Sequence, residues 1–183
     1  AQAAKGQTHC EACTSGKFAS TVGLATCSTW TCCAPGTFKA GYSASSDGFC
    51  SACVAGFYKA AGALCLAGCT ACSAGTFGDA ALPSTSTAHC TNCEQGTYQA
   101  LEGQSNGPVG DQSPCVDCPA GTFGLSHGLV ECTTCSSGHF QLAPGSTSCD
   151  PCAAGKYGDP AKSPSANDYC ADCNHGTFKT SDG

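Results

Sequence analysis

The sequence predicts a small disulfide-rich repeat protein: an elongated rod of about nine units of about 20 residues each, with short β-ribbons and little or no helix. Three observations carry this. One phrase returns nine times in 183 residues: Cys, two residues, Cys, two residues, Gly, one residue, then Phe or Tyr. Twenty of the residues are Cys, a share above the level that marks a disulfide scaffold. The apolar supply is thin, with 8 Leu, 5 Val, 8 Phe and no Ile or Met, about half of what a packed core uses. Covalent staples must therefore do the work of a core. Such staples persist in an oxidising compartment, so the expected address is extracellular: a cell surface or a secreted filament.

The copies run along the whole chain. They are Cys10-Cys13-Gly16-Phe18, Cys50-Cys53-Gly56-Tyr58, Cys69-Cys72-Gly75-Phe77, Cys90-Cys93-Gly96-Tyr98 and Cys115-Cys118-Gly121-Phe123. Then follow Cys132-Cys135-Gly138-Phe140, Cys149-Cys152-Gly155-Tyr157 and Cys170-Cys173-Gly176-Phe178. A ninth copy, Cys33-Gly36-Phe38, has Trp30 where its first Cys should stand. The spacing divides 1–183 into one tandem array with approximate units 10–26, 27–49, 50–68, 69–89, 90–114, 115–131, 132–148, 149–169 and 170–183. The array reads as a segment of a longer chain or of a polymer.

Whatever rule joins one unit should join the rest. The simplest rule ties the second Cys of one motif to the first Cys of the next. It gives Cys13–Cys27, Cys33–Cys50, Cys53–Cys69, Cys72–Cys90, Cys93–Cys115, Cys118–Cys132, Cys135–Cys149 and Cys152–Cys170. Cys32 and Cys65 fall outside the repeat grammar and are paired with each other. Cys10 and Cys173 stay open to a neighbouring unit or chain. Two other readings compete. A CxxC pair bridging internally would be a redox motif, but no βαβ pattern accompanies it. Cys132-Cys135 with Cys149-Cys152 falls near a zinc-finger spacing, but units that tile without gaps would leave every pair shared or idle.

Nine of the 14 aromatic residues sit two places after the motif glycine: Phe18, Phe38, Tyr58, Phe77, Tyr98, Phe123, Phe140, Tyr157 and Phe178. A ladder of ligand-binding rings is one reading. The better one is structural, each ring covering the nearest disulfide and filling the gap between units. The motif glycine implies a turn at positive φ or close approach to the sulfurs. Strands of two to four residues should form at each Gly-x-aromatic step and return toward the next Cys. The segments Glu102–Pro114, Pro83–Ala88 and Pro160–Ala166 are expected to be the most flexible.

No catalytic constellation emerges, so an enzyme is not expected. The five His are His9, His89, His127, His139 and His175. His9 and His89 precede Cys10 and Cys90 as Phe49 and Tyr169 precede Cys50 and Cys170, and a flat ring against the disulfide explains all four. The 13 carboxylates are scattered and form no calcium-loop run. Neither metal nor other cofactor is implied. With seven Lys, no Arg and a net charge of −6, nucleic acid is not an expected partner. No run of 18 apolar residues spans a membrane. Asn-x-Ser/Thr sequons are absent, whereas Ser43–Ser46, Ser84–Thr87 and Thr133–Ser137 are hydroxyl-rich places for O-linked glycans.

Phrases such as Cys118-Pro119-Ala120-Gly121-Thr122-Phe123 and Cys152-Ala153-Ala154-Gly155-Lys156-Tyr157 resemble the ephrin-receptor-like cysteine-rich repeat. The same opening is similar to the first module of tumour-necrosis-factor-receptor domains. The resemblance implies modules stacked into slender disulfide-bridged rods, with a pairing similar to the second-to-first rule. Few charges and Ala/Ser/Thr/Gly-rich loops look more like the repeats of protist and algal surface or flagellar-hair (mastigoneme) proteins. The expected function is a non-catalytic structural component of an extracellular filament or cell-surface coat. Its partners would be itself or sister repeat proteins. The alternative is the ectodomain of a receptor or adhesin that binds a protein or glycan through an irregular patch: Cys27–Cys33, Cys65 or Glu102–Pro114.

Overall fold

The computed structural model describes residues 9–106 and 113–182. Its organising element is a four-residue turn in which the motif glycine stands third. In all nine copies the N–H after that glycine donates to the carbonyl three residues back, as Thr37 does to Ala34 and Thr122 to Pro119. The nine motif glycines have φ between 78° and 87°. A side chain there would be strained, which is why the glycine recurs. Where Thr follows the glycine its hydroxyl clasps the same carbonyl, at 2.7–2.8 Å from Thr37, Thr76, Thr97, Thr122 and Thr177.

The chain leaves each turn as a short strand and returns to pair with the residues that follow the next first Cys. The antiparallel ribbons are β1 (Lys17–Phe18) with β2 (Ser28–Thr29), β3 (Thr37–Ala40) with β4 (Phe49–Ala52), β5 (Phe57–Tyr58) with β6 (Thr70–Ala71), and β7 (Thr76–Gly78) with β8 (Cys90–Asn92). They continue as β9 (Thr97–Tyr98) with β10 (Val116–Asp117), β11 (Thr122–Phe123) with β12 (Thr133–Thr134), β13 (His139–Phe140) with β14 (Asp150–Pro151), and β15 (Lys156–Gly158) with β16 (Cys170–Asp172). The sole helical element among the described residues is a 3₁₀ turn, Thr87–His89, capped by the Ser86 hydroxyl.

Nine disulfides hold these ribbons: Cys13–Cys27, Cys32–Cys65, Cys33–Cys50, Cys53–Cys69, Cys72–Cys90, Cys93–Cys115, Cys118–Cys132, Cys135–Cys149 and Cys152–Cys170. The sulfurs are the core. Cys72, Cys93, Cys118 and Cys152 are the fully buried side chains. The four cysteines of the zinc-finger-like spacing do not converge: Cys135 bonds Cys149, while Cys132 and Cys152 reach away to Cys118 and Cys170.

One position departs from the sequence reading. The backbone N–H of each second Cys donates to the carbonyl of the preceding motif glycine, as Cys53 does to Gly36 and Cys72 to Gly56. In the second unit that bond comes from Trp30, to Gly16 at 3.1 Å. Ser28 and Thr29, between Cys27 and Trp30, supply the pairing strand. Trp30 therefore stands in the second-Cys place of a motif led by Cys27, not in a first-Cys place. Thr31, Cys32 and Cys33 are an insertion that carries the displaced second Cys three residues onward.

Candidate functional site: the junction between units

A chain made of one repeated unit has one repeated site, the contact where units meet. Three backbone hydrogen bonds build it. The motif glycine donates to the carbonyl after the next unit's aromatic: Gly36 to Lys59, Gly75 to Gln99, Gly96 to Gly124, Gly121 to Gln141 and Gly155 to Lys179, at 2.7–3.0 Å. The N–H of that post-aromatic residue donates onward into the next loop, as Lys59 does to Ser84, Gln99 to Leu129 and Gln141 to Pro164. Finally a loop glycine reaches back to the carbonyl of the second Cys of the preceding unit: Gly103 to Cys72, Gly128 to Cys93 and Gly145 to Cys118, each at 2.8 Å.

The loop glycines also touch the unit before that. A Cβ placed on Gly56, Gly75 or Gly96 would collide with the backbone carbonyl of Gly103, Gly128 or Gly145 respectively. A Cβ on Gly36 would lie 3.1 Å from the Ser84 hydroxyl and one on Gly121 3.2 Å from the Ser165 nitrogen, tight contacts but looser ones. The second to sixth units are thus each fitted against two successors, and at Gly56, Gly75 and Gly96 backbone approaches backbone because no side chain intervenes. Pro83–Ala88 and Pro160–Ala166, expected to be flexible, are instead bonded into this contact through Ser84 and Pro164. Of the third such segment, 102–114, residues 107–112 lie outside the described residues.

The rings contribute less to the junction than their size suggests. Phe77 is buried, and Phe18, Phe38, Tyr58, Tyr98, Phe123 and Phe140 are half-buried. Tyr157 is exposed, and Phe178, with no following unit among the described residues, is 84% exposed. Trp30 and Tyr42 form the one ring pair among the described residues, edge to face at 4.8 Å, so no ladder of rings runs along the array. The residue after the ring is buried more deeply, because neighbours on a strand face opposite sides. Lys39, Lys59 and Gln99 are each under 8% exposed.

That next position alternates in kind from the third unit on: Lys59, Gly78, Gln99, Gly124, Gln141, Gly158, Lys179. Both glutamines fold under their own loop. Gln99 donates to the Pro114 carbonyl and accepts from the Leu101 N–H, and Gln141 does the same with Ser148 and Ala143. Where glycine stands, another side chain occupies the vacant volume: His89 against Gly78, Leu129 against Gly124 and Tyr169 against Gly158. The sequence reading missed this position, although a strict alternation of long chain and glycine next to the conspicuous ring was there to be found.

The four rings that precede a first Cys divide accordingly. His89 and Tyr169 are buried against those glycines, whereas Phe49 is 62% exposed and His9 is exposed. A glycine after the motif aromatic makes the cavity that draws the ring in, and in the second unit Lys39 fills that position instead. His127 is an exposed partner of Glu94 across the junction at 3.1 Å, His139 lies beside Ser136, and His175 is exposed. No three His, Cys, Asp or Glu side chains cluster among the described residues.

Charge is used locally. The Lys39 ammonium, 1% exposed, lies 2.9 Å from Asp47. Asp47 also accepts from the Thr31 hydroxyl and N–H. Lys39 first and then Thr31 hold the Asp47 carboxyl down at about 2. Lys162 and Asp168 pair at 2.6 Å across their loop, raising the lysine and lowering the carboxyl.

Residues 124–168 match the family model described as tyrosine-protein kinase ephrin type A/B receptor-like. Over that stretch the chain carries ephrin-receptor-like cysteine-rich repeats. No curated protein matches the chain. The matched stretch runs from the Gly124 junction through the Gln141 loop to Asp168, and the same turn, ribbon and junction bonds extend beyond it in both directions. The matched family is a receptor-like extracellular module, and nine disulfides in so short a chain point to the same extracellular setting. Among the described residues no helix is long and apolar enough to cross a membrane.

Two cysteines of the repeats are unbridged, Cys10 and Cys173. Cys173 is posed like every closed second Cys, its N–H donating to Gly155 at 2.9 Å and its thiol half-exposed.

Proposed function

We propose that this chain is a non-catalytic structural component of an extracellular filament or cell-surface coat, built by stacking and self-association of its disulfide-stapled repeats into a slender rod. The observation that supports this most is Cys173. Its backbone is set as in the closed units, yet its sulfur has no partner in this chain. A first-type Cys, from a further unit or from another copy meeting Cys10, would complete it. Partners are therefore copies of itself or sister repeat proteins, as in the protist and algal surface and flagellar-hair proteins whose repeats it resembles. O-linked glycans on Ser43–Ser46, Ser84–Thr87 and Thr133–Ser137 complete the reading.

Electron microscopy of native material, with intact mass under non-reducing conditions, tests it. Fibres that only reductant or denaturant disperses are expected, with both thiols consumed. Single chains whose Cys10 and Cys173 react freely with an alkylating agent in native material would overturn it.

One place favours the second reading, a receptor or adhesin ectodomain. Around the insertion, Tyr42 is 43% exposed and Phe49 62% exposed beside half-buried Trp30. Loss of partner binding in Tyr42→Ala/Phe49→Ala, with assembly intact, would select that reading.

A further inference from the structure

Besides the irregular junction of Gly16 with Lys39, two junctions lack the usual bond from the motif glycine to the carbonyl after the next ring. They are the junction of Gly56 with Gly78 and that of Gly138 with Gly158. In the second, the Tyr169 hydroxyl takes over and accepts from the Gly138 N–H at 3.3 Å. The place where a Cβ would stand on Gly158 lies 2.5 Å from that hydroxyl and 2.8 Å from the Gly138 nitrogen. The first junction repeats the arrangement with a different ring. The corresponding place on Gly78 lies 2.7 Å from His89 Nε2 and 2.5 Å from the Gly56 nitrogen.

The chemistry of His89 then follows from its other nitrogen. Nδ1 lies 3.0 Å from the Leu82 carbonyl. A carbonyl only accepts, so Nδ1 carries the proton. In the neutral ring Nε2 is then a bare acceptor, buried and without a hydrogen-bond partner. Facing it is the buried N–H of Gly56, which no backbone carbonyl among the described residues accepts. The two make no hydrogen bond with each other, but only the neutral imidazole turns a lone pair and not a second N–H into this crowded place. A second proton on the ring sets one N–H against another in a site that water does not reach.

We propose that His89 makes the junction between the third and fourth units an acid-sensitive hinge, while Tyr169 makes the equivalent junction between the seventh and eighth insensitive. Ionisable groups on the packed elements do not offset the added charge. Asp79, in the same loop, has its carboxylate engaged by the Ala81 N–H and Asn106. Tyr58 is a neutral phenol on the facing strand, and the Lys59 ammonium would only repel. Acidification that puts a second proton on the ring therefore opens this junction. The disulfide Cys72–Cys90 keeps the units joined, so the opening is a local hinge motion and not unfolding.

The test is amide-exchange protection of Gly56 and Gly138 in the intact oxidised chain, corrected for the intrinsic pH dependence of exchange. Gly56 should lose protection by about tenfold or more on acidification while Gly138 holds. His89→Tyr should copy the distant junction and remove the difference. Ring nitrogen shifts of wild-type His89 need no variant and should report the Nδ1-protonated form at neutral pH. Equal responses at the two glycines, or an Nε2-protonated ring, would overturn the proposal.

Discussion

The second unit and the regular array from Gly75 to Cys173 solve the same problem with different means. From Cys93 to Cys152 a buried second Cys sits on the preceding motif glycine, and one disulfide per unit suffices. In the second unit Trp30 takes that seat and keeps the backbone bond to Gly16. The lost sulfur is then made up by an insertion: Cys33 resumes the bridge, Cys32 ties forward to Cys65, and Thr31 helps hold Asp47 against Lys39. The backbone bond survives the exchange and the cysteine does not. The turn and its glycine therefore define the unit, and the sulfur stabilises what they define.

If that is right, the largest effect belongs to a motif glycine of the regular array. Gly75→Val combines positive φ with a collision against the Gly128 carbonyl, so neither local relaxation nor a rotamer change relieves it. We expect a loss of about 3 kcal/mol or more, read as a fall in the yield of correctly bridged protein. Gly62, in the irregular region, also has positive φ (81°) but open space around it. Gly62→Val should cost about 1–2 kcal/mol. Equal losses at the two positions would mean that close packing between alternate units contributes nothing.

A smaller effect separates the two kinds of bridge. Cys93–Cys115 spans 22 residues and Cys32–Cys65 spans 33, so sequence separation alone favours the second. The chain-entropy argument reverses this, because Cys33–Cys50 and Cys53–Cys69 already draw Cys32 and Cys65 together. Cys93 is also fully buried, whereas Cys32 is exposed. Cys93→Ser/Cys115→Ser should cost about 3 kcal/mol and Cys32→Ser/Cys65→Ser about 2 kcal/mol, measured by denaturant titration of the intact chain.

How much of this was legible in the sequence follows the range of the forces involved. The turn, the ribbon and the positive-φ glycine are local, and one phrase repeated nine times displays them. The contact between alternate units is not local, and Gly103, Gly128 and Gly145 look like ordinary loop residues until the stack brings them against Gly56, Gly75 and Gly96. The aromatic was overrated because bulk suggests burial, whereas strand alternation decides which neighbour faces inward. Trp30 was misplaced because spacing was counted from Cys33 backward. The three-residue insertion shows itself only when the hydrogen bond to Gly16 is seen. The filling of Gly78 by His89 and of Gly158 by Tyr169 was half visible, as a shared place before Cys, without the glycine that explains it.

The smallest effect sharpens the comparison at its electrostatic end. Asp47, held at about 2 by Lys39 and Thr31, lies below the ordinary carboxyl value of 3.8. A carboxyl lowered by folding stabilises the fold above its unfolded value, and that contribution is lost as pH falls through the folded one. The window is therefore about pH 4 down to about pH 2. Protonation there leaves the Lys39 ammonium buried with only the Thr31 hydroxyl, at 3.1 Å, to receive it. The single Trp of the chain, Trp30, adjoins Thr31 and reports on this unit alone. Its fluorescence should change across that window in the wild type. In Asp47→Asn the step should vanish, since the altered group no longer titrates. The Lys162–Asp168 pair of the eighth unit makes the counter-test: both partners are exposed to water, at 35% and 72%, so screening leaves it little to lose. Asp168→Asn should leave thermal unfolding of the oxidised chain nearly unchanged. A Trp30 step that persists in Asp47→Asn would show that acid acts on the second unit through some other group, and the insertion would then be a spacer and not a brace.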